Sequence, residues 1–276
     1  MKTEAVEKVL IESDKTEESS EDISKSLLVK DILINSLSQN GLALEFVPKK
    51  LKNEEIALAA VRQNGLALKF VPKKIKDYNL CLIAVKQDGL ALKFVPSEHR
   101  TKEITTEAIS QNGTALKFIP KKDKKRDMCS NAVKQNGLAL KYVPKKYKTK
   151  KMCLEAIKSN PFSMRFVPKN LKTEQLCIEA IKINRWAFIE LHKKYKTATV
   201  CKTAVEFDGG LLSFVPKSSK KHDVCLAAIK NDGMALMFVP KSKRTQQICI
   251  EAVKQCAEMI IGIPKEHKDA CMDALN

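Results

Sequence analysis

Prolines stand at Pro48, Pro72, Pro96, Pro120, Pro144, Pro168, Pro216, Pro240 and Pro264, and the one missing beat, 24 residues after Pro168, is His192. Ten units of 24 residues follow one another with no insertion or deletion. So short a unit cannot bury an apolar face by itself, and each has to pack on its neighbours. The spacing therefore predicts an all-α solenoid. Ten two-helix repeats over residues 25–264 form a single stacked array, preceded by an acidic tail, residues 1–24, and closed by a capping part-repeat, residues 265–276.

Within a unit the apolar pattern is helical. Ile56, Ala57, Ala60 and Val61, or Leu176, Cys177, Ala180 and Ile181, lie along one helix face. A capping residue type precedes this face in eight of ten units: Asn53, Asp77, Thr101, Thr149, Thr173, Thr197, Thr245 and Asp269. The Ala60 position is alanine in every unit through Ala252, which predicts closely approached helix axes. Asn-Gly then opens a second apolar cluster, Leu66, Ala67, Leu68, Phe70 and Val71, which the proline ends. In one unit the pair is Asn160-Pro161. Proline excludes a positive φ at that place, so Asn64, Asn112, Asn136 and their equivalents are read as N-caps of a short second helix whose apolar residues face the core.

Hydrophobic residues make up 44% and charged residues 30%, a soluble globular balance. No apolar run approaches the roughly 18 residues of a membrane span, and no signal peptide opens the chain. Residues 1–25 hold eight acids against four lysines, the composition of a mobile tail. The net charge of +18 therefore resides in the repeats and attracts polyanions or acidic protein surfaces.

Seven of nine cysteines share one position: Cys81, Cys129, Cys153, Cys177, Cys201, Cys225 and Cys249. Equivalent positions in a stack lie roughly 8–10 Å apart, beyond disulfide reach, so these thiols are read as small core residues. Unpaired thiols favour a reducing, cytoplasmic setting. The four histidines fall in different units, and no zinc spacing, P-loop or nucleophile motif appears. The expectation is a protein that is not an enzyme and has no cofactor or metal.

Three rows of cations run through the repeats. The residue before each helix cap is basic in all ten units: Lys52, Lys76, Arg100, Lys124, Lys148, Lys172, Lys196, Lys220, Arg244 and Lys268. A cation just outside a helix start opposes the helix dipole, so either it bonds the carbonyls that end the preceding short helix or the row binds anions. Arg62, Lys86, Lys134, Lys158, Lys182, Lys230 and Lys254 form a second row, and pairs such as Lys49-Lys50 a third. Phosphates could track such stripes. Aromatic residues are only 5% and fall at core positions, which argues against base stacking.

One unit departs from the pattern. It carries the single tryptophan, in Arg185-Trp186, and His192 in place of proline, a candidate contact region. The preferred reading is that Trp186 fills the leucine position of the core. Asn160-Pro161-Phe162 spells a motif that adaptor domains recognise, but it occupies the positions of Asn-Gly-Leu, and the third residue is again read as core.

The block A(V/I)KQ(N/D)GxALKFVP, seen at Ala84–Pro96 and Ala132–Pro144, resembles tandem helical repeats catalogued as a domain of unknown function. The resemblance implies an all-helical repeat array and brings no activity or site residues. The sequence as a whole predicts a scaffold for protein–protein interaction, with binding of nucleic acid or another polyanion along the lysine stripes as the alternative.

Overall fold

The structure is a computed structural model that describes residues 20–275, with side chains from residue 27. It is an all-α repeat with no strand among the described residues. The acidic stretch 1–19 lies outside them, and a 20-residue helix, Ser20–Gln39, begins inside the segment assigned to the tail. Two compact units make up the chain, Met1–Gln135 and Asn136–Asn276.

A repeat has three helical pieces where two were expected. In the second repeat these are the α-helix Glu54–Gln63, the 3-10 helix Gly65–Phe70 and, beyond Pro72, the single turn Lys73–Ile75. Seven of the eight expected caps accept a hydrogen bond from the amide three residues on, at 2.7–3.5 Å. Asp269 is the exception. The preceding Lys268 already has helical angles, φ −64 and ψ −45, so the last helix, Lys268–Asp273, starts two residues earlier than a cap at Asp269 would place it, and Asp269 sits inside its first turn.

The short helix starts as expected on Asn or Asp. Side chains from Asn64 to Asp232 each take the amide two residues on, at 2.8–3.1 Å. Its 3-10 form decides which residues it buries. With about three residues per turn, positions three apart eclipse one another. Leu68 and Val71 form the inner stripe and are buried, Ala67 and Phe70 lie on the flank, and Leu66 and Lys69 face outward. Phe70 is therefore half-buried rather than core.

Neighbouring repeats meet along the alanine row. A Cβ on Gly65 would lie 2.2 Å from the Ala84 carbonyl oxygen, and one on Gly113 2.1 Å from that of Ala132. Glycine is required there by close approach. The last residue of the long helix then reaches back: Gln63, Gln87, Gln135, Ser159 and Asn231 each accept the amide hydrogen of the preceding repeat's glycine at 2.5–3.0 Å. Gln87 Nε2 also donates to the Gln63 carbonyl at 3.1 Å.

The cysteine row lies inside these contacts. Eight thiols are buried and Cys256 is half-exposed, all nine unpaired. Burial pushes Cys81, Cys153, Cys177, Cys201 and Cys249 from 9.0 up to about 11. The stability they contribute is thus present below pH 9 and lost as pH climbs through about 11. With a disulfide reagent at pH 8 we expect one thiol, Cys256, to react within minutes and all nine only in denaturant. Several fast thiols in the native protein would contradict the packing.

Candidate functional site

The cation row that precedes the long helices is turned onto backbone carbonyls. The backbone becomes extended at the residue before the proline, as at Val71 (φ −73, ψ 132), and the proline has no N–H, so the ladder ends with the Val71 amide on Leu68 and the carbonyls of Lys69 and Phe70 lack a backbone donor. Lys52, Lys76, Lys148, Lys196 and Lys220 supply one. Each Nζ donates to the Phe carbonyl 18 residues on, at 2.8–3.3 Å. Arg100 donates to the carbonyls of Phe118, Val95 and Lys93, tying two consecutive short helices, and Arg244 donates to Gly262 and Val239 in the same way. The lysines therefore bond the short helix that follows them, and the arginines the one before as well.

Desolvation accompanies this role. Lys52, Lys124, Lys196 and Lys220 are at most 9% exposed. Burial lowers the pKa of these four and of Lys76, Lys148 and Lys172. Two members of the row differ. Lys172 lies over the Tyr195 ring at 5.7 Å, and Lys268 is exposed at the start of the last helix. The other two cation rows, those of Arg62 and of Lys49-Lys50, stay exposed.

The flank and outward face of the short helices carry what the sequence reading placed in the core. Phe70, Phe94 and Phe118 are half-exposed, and the preceding lysine covers each ring at 4.6–5.5 Å. Phe46 is 73% exposed. Trp186 does not fill the core either. It stands at the outward Leu66 position, 45% exposed, and Phe162 at the same position is 50% exposed. An α-helical period misplaces these residues; the tighter 3-10 turn brings them out.

His192 takes proline's angles, φ −64 and ψ 147, and its Nδ1 accepts the Lys194 amide at 3.4 Å, so it opens the single turn Lys193–Tyr195 instead of ending a longer helix. In the same repeat Glu190 replaces the phenylalanine and pairs with Arg165 at 2.7 Å. Arg185 pairs with Asp208 at 3.0 Å and lies 5.5 Å from the Trp186 ring.

Elsewhere an open groove of about 440 Å3 runs between the helices Ala198–Phe207 and His222–Asn231, lined by surface groups such as Lys202, Asp223 and Lys230. Among the described residues no group of three His, Cys, Asp or Glu side chains is placed to hold a metal ion, and no helix is long and apolar enough to cross a membrane.

Helical repeats of one length, joined by one glycine–alanine contact and capped by one row of cations, define a tandem all-α repeat protein. The chain belongs to the family described as domain of unknown function (DUF4116), which matches residues 30–76, 77–124, 125–172 and 149–196. The last two matches overlap by one 24-residue unit, in keeping with the period of the prolines. No curated protein and no solved structure matches the chain.

Proposed function

We propose that the chain is a non-enzymatic scaffold that binds protein partners through the exposed side of its short helices. One observation carries this reading. Large apolar side chains exposed to solvent recur on the short helices of the second compact unit, among them Phe162, Trp186, Phe214, Met234 and Met237. Apolar residues scattered singly are ordinary, whereas their collection on one kind of surface marks interaction sites. On the short helices of the first unit the exposed Lys69, Lys93 and Lys117 lie over the half-exposed rings of Phe70, Phe94 and Phe118 and favour partners with acidic groups.

The polyanion reading keeps the exposed rows of Arg62 and Lys49-Lys50, but it loses the row that bonds carbonyls. Its stacking platforms are rings already covered by lysine. A fluorescence-anisotropy titration of labelled RNA and of a DNA duplex at near-physiological salt separates the two readings. The scaffold reading expects no saturable binding there. Tight binding that weakens steeply with added salt would replace it with the polyanion reading.

A further inference from the structure

We infer that Phe162, Ile183, Trp186 and Phe207 form one docking patch, and that its occupant is an amphipathic segment of another protein bearing Asp or Glu beside apolar anchors. The inference rests on the scaffold reading and adds to it a place and a partner chemistry.

Four positions change together in consecutive repeats of the second compact unit. Where most repeats have a polar side chain, which in five of them clamps the preceding glycine amide, these have Ile183 and Phe207, 43% and 49% exposed. At the outward leucine position they have Phe162 and Trp186. Apolar area left in water contributes nothing to folding, so the requirements of packing do not explain the exchange.

The backbone changes with them. Pro161 and Arg185 bring a Cβ to the position where glycine meets the next alanine carbonyl. The short helices Pro161–Phe166 and Arg185–Phe188 accordingly stand farther from the helices Glu174–Ile183 and Ala198–Phe207 than their counterparts do. Pro161 also has no amide hydrogen to be clamped, so Ile183 forfeits no bond. The register places Phe162 beside Trp186 in adjacent repeats, and Ile183 beside Phe207.

Two arginines frame the patch. The Arg165 guanidinium lies 6.0 Å from the Phe162 ring and is bonded to Glu190, and Arg185 lies 5.5 Å from the Trp186 ring and is paired with Asp208. Rings braced in this way lose little freedom on binding, and tryptophan with arginine is the composition of interface hot spots. Both neighbouring carboxylates are occupied by these pairs. The exposed charges at the helix ends are Lys158, Lys182 and Glu206, which leaves a positive excess and calls for an acidic partner. Bases are disfavoured because the guanidinium already covers the indole.

A phage-displayed peptide library panned against the full chain tests this. Enriched peptides should combine aromatic or aliphatic anchors with Asp or Glu, and their affinity should fall at least about tenfold on the Phe162→Ser/Trp186→Ser variant. The Ile183→Gln/Phe207→Gln variant, which restores the residue type of the regular repeats, should show the same loss with an undiminished melting temperature. Acidic peptides that bind wild type and both variants alike would overturn the patch and leave the scaffold reading standing. No enrichment of any peptide would overturn both. A labelled oligouridine bound by wild type and lost from the variants would give the patch to nucleic acid, and a dimer in light scattering that the variants dissociate would give it to a second copy of the chain.

Discussion

Gly209→Ala is expected to lower the unfolding free energy by about 3 kcal/mol, while Gly210→Ala, one residue on, shifts it by under about 0.5 kcal/mol. A Cβ on Gly209 would lie 2.5 Å from the Ala228 carbonyl oxygen and 2.9 Å from the Asp232 Cβ. Relief requires the next helix to move away, which strains the Gly209 amide bond to Asn231 Oδ1, 2.7 Å long, and opens the alanine seam. At Gly210 the nearest atom is Asp208 Oδ1 at 3.2 Å, a side chain that can turn. Other repeats carry leucine, threonine or phenylalanine there. Thermal and urea unfolding of the two variants measure the contrast, and equal effects would show that close approach is not what holds glycine in this row.

The second large effect concerns the half-buried Lys148 and the buried Lys196. Lys148→Met and Lys196→Met keep the aliphatic stem and leave the carbonyls of Phe166 and Phe214 without the donor now at 3.1 and 3.0 Å. Each should cost about 2 kcal/mol, the penalty of an unsatisfied buried acceptor. The two lysines lie two repeats apart, so the double variant should lose about 4 kcal/mol, the sum of the single losses. Unfolding curves give the loss. If stability holds while affinity for heparin collapses, the row is an anion-binding one and its carbonyl bonds are incidental.

These two cases also show what the sequence disclosed. Period, helix starts and the thiol row follow from spacing, because a stack repeats every contact at the same interval. Asn160-Pro161 identified Asn64 and its equivalents as caps, since proline excluded a positive φ at that place. The need for glycine at Gly65 was not legible, because the atom it accommodates, the Ala84 oxygen, belongs to the next repeat. The Lys52 row left two readings open, as its acceptor lies 18 residues away, on a carbonyl left over where the next short helix gives way to extended chain. Trp186, Phe162 and Phe70 were misplaced for one shared reason. An α-helical period puts them inward, and only the 3-10 helix separates the inner stripe of Leu68 and Val71 from the outer one. The exposed aromatic edge, the strongest pointer to function, was therefore the part hidden from sequence reading.

The clamp between a glycine amide and the next repeat's glutamine sets a rule of exchange among the units. Regular repeats are interchangeable parts: each has the glycine amide to offer and ends its long helix in a polar side chain of the kind that accepts it. The repeat that ends its long helix in Ile183 accepts nothing, so it matches a predecessor with Pro161 and strands the amide of any predecessor with glycine. The converse mismatch, Pro161 followed by a glutamine, leaves no donor unpaired. Duplication or deletion of units by recombination, or by an engineer lengthening the array, is accordingly cheap among the regular repeats and directional at this junction.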